Sequence, residues 1–280
     1  MHFLDQALQL EPVPGGSDGR CTGTASAAYW NMVGPFGGAT AATVLQAVLR
    51  HPALLGEPIA LTVNFAAALG PGAFTVDARA VRTNRSTQHW TVEMTQADAD
   101  GAPQILTTAT VVTAARRETW GVNDTPMPDV PSPDATAPRQ FDARLAWLQR
   151  YDMRPLLGNV PSEWDGLPSD APPDLASLSR LWVRDVPPRP VDFPALAAMS
   201  DVFYPRAWLR RRKMVPAGTV SFTVYFHADS AQLAATGDGF LLGQARAQAF
   251  RNGFFDQSAQ LWNQDGVLLA TSHQIVYYKE

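Results

Sequence analysis

Leu268, Ala270, Ser272, Gln274 and Val276 share one face of a period-two stretch near the end of the chain. Leu269, Thr271, His273 and Ile275 share the other. The alternation predicts a strand that follows an Asp265-Gly266 turn and pairs with "FFDQSAQLW" before it. It also raises a question at Gln274, an amide on a face otherwise held by small and apolar side chains. The same texture, rich in Thr and Val, fills residues 59–115 in four stretches separated by Gly-Pro-Gly, Asn-Arg-Ser and Asp-Gly, which predicts a four-stranded antiparallel meander. Residues 20–30 alternate loosely and predict one more strand.

The period changes after Gly37-Gly38. Ala41, Val44, Leu45, Val48 and Leu49 recur at helical spacing, and Pro52 ends the element. A second helix is predicted over 191–212, with Pro194 suited to its first turn and Pro205 placed to bend or end it. Strands at 219–229, 239–250, 254–262 and 268–279 follow. The order of the first half thus returns in the second, and "LTVNFA" (61–66) lies over "FTVYFH" (222–227). A repeat this long reads as a duplicated domain rather than a solenoid. Residues 121–190 hold 13 of the 23 prolines, yet 141–155 and 175–185 keep enough apolar residues to be strands. The expected division is an N-terminal unit at 1–125, a Pro-rich connector with early strands of the second unit at 126–187, and a C-terminal unit at 188–280.

Composition narrows the field. With 280 residues, 46% hydrophobic and 17% charged, the chain can bury a sizeable core. A net charge of −4 gives no case for nucleic acid. Cys21 is the only cysteine, which excludes an internal disulfide and fits a reducing compartment. The first residues lack a basic, then apolar, leader pattern, and no apolar run reaches the ~20 residues of a membrane span, so a cytoplasmic protein is expected. The five histidines show no metal-ligand spacing, and no G-x-S-x-G elbow, Walker loop, G-x-G-x-x-G loop or EF-hand is present.

The stretches "NMVGPFGGATAATVLQAV", "RTNRSTQHWTVEMTQ…DGAPQILTTATVV" and "NGFFDQSAQLWNQDGVLLATSHQIV" resemble the thioesterase-like double-hotdog proteins, relatives of the type II acyl-CoA thioesterases. The resemblance covers roughly 20–120 and 188–280. It implies an α+β fold, a double hotdog: two antiparallel curved sheets, each wrapped around a long central helix. It also implies hydrolysis of an acyl-CoA by a water held by an Asp on the second helix, a Gln on the last strand, and a Thr or Ser on a middle strand of the second unit. The Asp falls at Asp201 and the Gln at Gln274. Counting back from the "QLWNQDG" turn puts the third position at Gln248, an amide where the family has a hydroxyl. No metal or redox cofactor is expected, coenzyme A entering only as part of the substrate, and a homodimer or higher homo-oligomer is implied.

Other residues allow two readings each. Gly37-Gly38 at a helix start suits an oxyanion or phosphate, or simply tight packing of helix on sheet. Arg206, Arg210, Arg211, Arg212 and Lys213 suit the phosphates of coenzyme A, or a helix C-terminus that favours cations. Trp30, Phe36, Phe203 and Tyr204 are candidates to line the acyl group. His273 has the opposite parity to Gln274 and is expected to face away from it. Two other functions remain: an acyl-thioester or lipid-like ligand binder that has lost hydrolysis with the hydroxyl, and a hydratase or dehydratase, which needs a His that neither predicted helix contains.

Overall fold

The computed structural model describes residues 1–141 and 144–279. In chain order the elements of the first half are α1 (Phe3–Ala7), β1 (Glu11–Pro12), β2 (Arg20–Thr24), α2 (Gly37–Leu49), β3 (Glu57–Phe65), β4 (Ala73–Thr83), β5 (Thr87–Ala97) and β6 (Pro103–Ala114). Those of the second half are β7 (Tyr151–Leu157), β8 (Ser179–Asp185), α3 (Phe193–Met199), α4 (Arg206–Arg211), β9 (Ala217–Phe226), α5 (Ser230–Thr236), β10 (Leu241–Arg246), β11 (Phe250–Arg251), β12 (Phe254–Trp262) and β13 (Leu268–Tyr278).

All thirteen strands join one antiparallel sheet in the order β1-β2-β4-β5-β6-β3-β9-β13-β12-β10-β8-β7, with β11 set on β12. The four strands expected over 59–115 form, but not as a simple meander. β4, β5 and β6 pair in sequence, while β3 pairs with β6 and turns its other edge to the second half. β3 and β9 carry the two copies of the repeated hexapeptide, and they run antiparallel with Thr62 directly opposite Thr223. These two threonines are equivalent in the repeat, and their hydroxyls bond each other at 3.0 Å. The chain's internal two-fold axis therefore passes between them. The junction removes a free edge from each half.

α2 is apolar nearly all round, and only Gly37, Gln46 and Leu49 of its thirteen residues escape burial. It packs on β4, β5 and β6 and on α3. The second helix is shorter than the sequence predicts. α3 stops after seven residues, all buried, and the chain crosses 200–205 without helix before Pro205 starts α4. The break fits Pro205, which has no N–H to give to a helical bond and disfavours helix at the residue before it. Within the proline-rich stretch, β7 and β8 extend the sheet beyond β10. The expected strand at 141–155 is present only from Tyr151, after a 3-10 turn at Ala146–Arg150, and its residues 142 and 143 lie outside the described ones. The strand expected at 20–30 is confined to β2.

Candidate active site

β13 keeps the alternation read in the sequence. Ala270, Ser272, Gln274 and Val276 are buried, whereas His273 and Ile275 are exposed. Gln274 thus turns inward, and its Nε2 donates to Oδ1 of Asp201 at 2.6 Å. Asp201 stands just past the end of α3. Two serines hold the pair together. Ser272 Oγ donates to the carbonyl of Ser200 at 3.1 Å, and Ser200 Oγ donates to the carbonyl of Leu196 at 2.8 Å. Each serine lies within two residues of the side chain it positions.

α2 completes the arrangement. Its N-cap position is Phe36, which supplies no capping side chain. The carboxylate of Asp201, arriving from the other half, accepts the Gly38 N–H instead. It takes the part of a borrowed cap at the positive end of the helix dipole. The approach is close enough to require glycine. A Cβ on Gly37 would stand 2.9 Å from Asp201 Oδ2, and one on Gly38 would stand 2.5 Å from the carbonyl oxygen of Ala198. Of the two readings of this pair, close packing is realised, and the Gly38 amide is engaged by Asp201.

Burial pushes the Asp201 carboxyl up to about 7, against the opposing pull of the Gln274 and Gly38 hydrogen bonds. A carboxylate poised there exchanges protons near neutral pH. The oxygen of the amide is held too. Thr219 Oγ1, on β9, donates to Gln274 Oε1 at 3.2 Å. Asp201, Gln274 and Thr219 form one hydrogen-bonded line across α3, β13 and β9.

Gln248 is not part of it. It occupies an exposed bend after β10, where its backbone N–H donates to Asp256 Oδ1 at 3.0 Å. The reason is strand order. β12 separates β10 from β13, and the hydroxyl that bonds Gln274 comes from β9, on the other side. Thr219 was missed because counting back along consecutive strands assumes that sequence neighbours are sheet neighbours. Its signal was the repeat itself, which places β9 over β3, at the junction. Gln257 was also missed; it is buried on β12 directly opposite Gln274.

The remaining candidates separate. Phe36 is buried and stacks on Trp147 at 4.2 Å. Phe203 packs on Gly243 of β10, and Tyr204 lies near Phe141 under Arg139. Trp30 is half-buried, and its carbonyl accepts from the Trp147 N–H. The basic cluster is not a single patch. Arg206 is fully buried and donates to Tyr204 O, Ser177 O, Ser179 Oγ and Ala245 O, and burial without a carboxylate partner lowers its pKa to about 9. It tethers α4 to β8 and β10 and is unavailable to phosphates. Arg212 pairs with Asp165 and Asp170. Arg210 and Arg211 line a surface groove of about 350 Å³ with Ala207, Phe250 and Tyr278. Among the described residues no His, Cys, Asp or Glu cluster could hold a metal ion, and no helix is long and apolar enough to cross a membrane.

The family model described as the acyl-CoA thioesterase N-terminal domain matches residues 26–115, and that described as the acyl-CoA thioesterase C-terminal domain matches 126–278. No curated protein sequence matches the chain. Among solved structures, a conserved hot dog fold protein of unknown function from Alicyclobacillus acidocaldarius is 44% identical, with TM-score 0.89, covering 100% of this chain and 99% of that one. An acyl-CoA thioesterase II from Mycobacterium marinum is 18% identical, with TM-score 0.75 and coverage of 99% and 98%. The tesB protein of Mycobacterium avium subspecies paratuberculosis is 20% identical, with TM-score 0.73 and the same coverage. At those identities the last two speak for the fold alone.

Proposed function

This chain belongs to the acyl-CoA thioesterase family, and from that premise we propose that it is a double-hotdog hydrolase that cleaves acyl-CoA with a water held by Asp201, Gln274 and Thr219. The observation that carries the reading is the hydrogen-bonded line from Asp201 through Gln274 to Thr219, with the carboxyl raised to about 7. Asp201 takes a proton from water as the water oxygen bonds to the thioester carbonyl carbon. Gln274 fixes the carboxylate and the water, and Thr219 fixes the orientation of the amide. The tetrahedral intermediate collapses by breaking the carbon–sulfur bond. The thiolate of coenzyme A recovers the proton from Asp201, and a carboxylic acid is released. The scheme calls for no metal or redox cofactor. Coenzyme A takes part only as the leaving portion of the substrate, and Arg210, which lines a surface groove with Phe250 and Tyr278, is the residue proposed to meet its phosphates.

The competing idea of a non-hydrolysing binder drew its force from a missing hydroxyl, and Thr219 supplies one. Thiol release from short, medium, long and aromatic acyl-CoAs tests the proposal, with the intact protein set against Asp201→Ala. Loss of about 10²–10⁴ in kcat is expected in a variant that keeps its fold. A silent wild-type protein across the whole panel would sink the proposal.

A further inference from the structure

Buried polar atoms without a partner concentrate in one place outside the Asp201–Gln274–Thr219 line. Tyr29 Oη, Tyr151 Oη, both carboxylate oxygens of Asp185 and Trp147 Nε1 have no hydrogen-bond partner. Tyr29, Tyr151 and Asp185 are 0%, 4% and 2% exposed. Protein interiors pair nearly all such groups, and those left unpaired call for an explanation.

The four side chains are neighbours. Tyr151 opens β7 and lies directly opposite Asp185, which ends β8. The Tyr29 and Tyr151 rings meet edge-on at 6.4 Å, and Trp147 meets Tyr151 at 6.2 Å. Asp185 has no cation to itself. Arg189, the arginine that acts on it electrostatically, is committed to Asp5 at 2.8 Å and Asp192 at 2.6 Å. Burial raises the Asp185 carboxyl to about 7 and holds both phenols well above their usual range.

The cluster also borders the reacting carboxylate. Phe36 stacks on Trp147 at 4.2 Å, meets Tyr151 edge-on at 6.2 Å, and immediately precedes Gly37, which touches Asp201. The charge of Asp201 acts on the Tyr151 phenol. The aromatic pair Phe36–Trp147 thus lies between the two places.

Resting on the thioesterase reading, we propose that Tyr29, Tyr151, Trp147 and Asp185 form a polar subsite for the far part of the acyl group, and that the preferred substrates are hydroxyacyl-CoAs rather than plain alkyl ones. A hydroxyl can donate one hydrogen bond and accept others. Asp185 is an acceptor for its proton, while the tyrosine hydroxyls and the indole N–H are donors to its oxygen. An alkyl chain in the same place leaves all of these groups unpaired. That asymmetry is the strongest means a buried site has of rejecting an analogue that lacks a hydroxyl.

The test compares hydroxyacyl-CoAs, the hydroxyl moved outward carbon by carbon, with alkyl acyl-CoAs of equal length. At the matching position the wild-type kcat/KM is expected to favour the hydroxylated substrate by about tenfold or more. In Tyr151→Phe and Tyr29→Phe, which remove only the hydroxyl, that ratio is expected to fall toward one. Equal wild-type rates at every hydroxyl position overturn the subsite and leave hydrolysis standing. A preference unchanged in both variants also overturns it. Calorimetric binding of the same ligands separates the two proposals. Tighter binding of a hydroxyacyl-CoA without thiol release upholds the subsite and removes the hydrolase. If the tyrosine variants fail to fold, the wild-type comparison decides alone.

Discussion

At the scale of single residues, Asp201 sets the expected pH behaviour. Its carboxyl is raised to about 7, and a base acts only when ionised. The prediction is a kcat/KM that climbs as pH rises through about 7 and levels above it, read from a pH–rate profile. The same shift has a cost in stability. A carboxyl that binds its proton more tightly folded than unfolded loses stability as pH rises from the ordinary carboxylate range toward 7. Asp201→Asn removes that titration, so its melting temperature is expected to gain on wild type between pH 5 and pH 8, as scanning calorimetry can check. Thr219 gives a sharper handle on the site. Thr219→Val keeps the shape and removes the hydroxyl that holds Gln274. A loss of about tenfold in kcat is expected, with recovery in Thr219→Ser, because one hydrogen bond of this kind is worth about 1 kcal/mol or somewhat more. Equal rates for the Val and Ser variants would show that the Thr219 hydroxyl has no part in the chemistry.

At the scale of elements, the decisive contact is between the N-terminal turn of α2 and the end of α3. The backbone of α3 stands so near Gly38 that a Cβ would fall 2.5 Å from the Ala198 carbonyl oxygen. The atom that must move is main chain, in a helix whose seven residues are all buried. Gly38→Ala is therefore expected to force the helices apart and destabilise the protein by about 1–3 kcal/mol, in the range of overpacked cores, as measured by denaturant unfolding. Part of this contact was open to sequence reading. Gly37-Gly38 before an apolar helix signals close approach, and the apolar period of α2 gives the helix itself. What a count of periods could not give was the break after Met199. The apolar run from Val191 to Leu209 continues through it, and only Pro205 hints at an interruption.

At the scale of the whole molecule, the two halves share one sheet through β3 and β9. Arg116 reinforces the seam, donating to the carbonyls of Pro58, Phe226 and Ala228 and approaching Glu57 at 3.7 Å. Residues 1–125 expressed alone would leave β3 an open edge, a template for pairing with another chain. That fragment is expected to elute as dimers or aggregates in size-exclusion chromatography, while the full chain unfolds in a single transition. A stable monomeric fragment would mean that the seam is dispensable.

Asp201 is singled out by the resemblance to the type II thioesterases; the sequence by itself determined the rest of the inventory, namely two copies of a helix-and-strands unit and the inward face of β13 with Gln274 on it. Those features are local. Period, parity and turn chemistry follow from backbone geometry a few residues at a time, and a repeat is visible in the letters alone. Tertiary structure decided the partners. It set β9 rather than β10 beside β13, so that Thr219 and not Gln248 bonds Gln274. It buried Arg206 where a surface cluster was expected, and it gathered Tyr29, Tyr151 and Asp185 from three separate segments. The physical reason is the same in each case. Sheet order and burial are settled by which faces meet when the whole chain packs, and residues more than a hundred positions apart carry no local mark of that meeting.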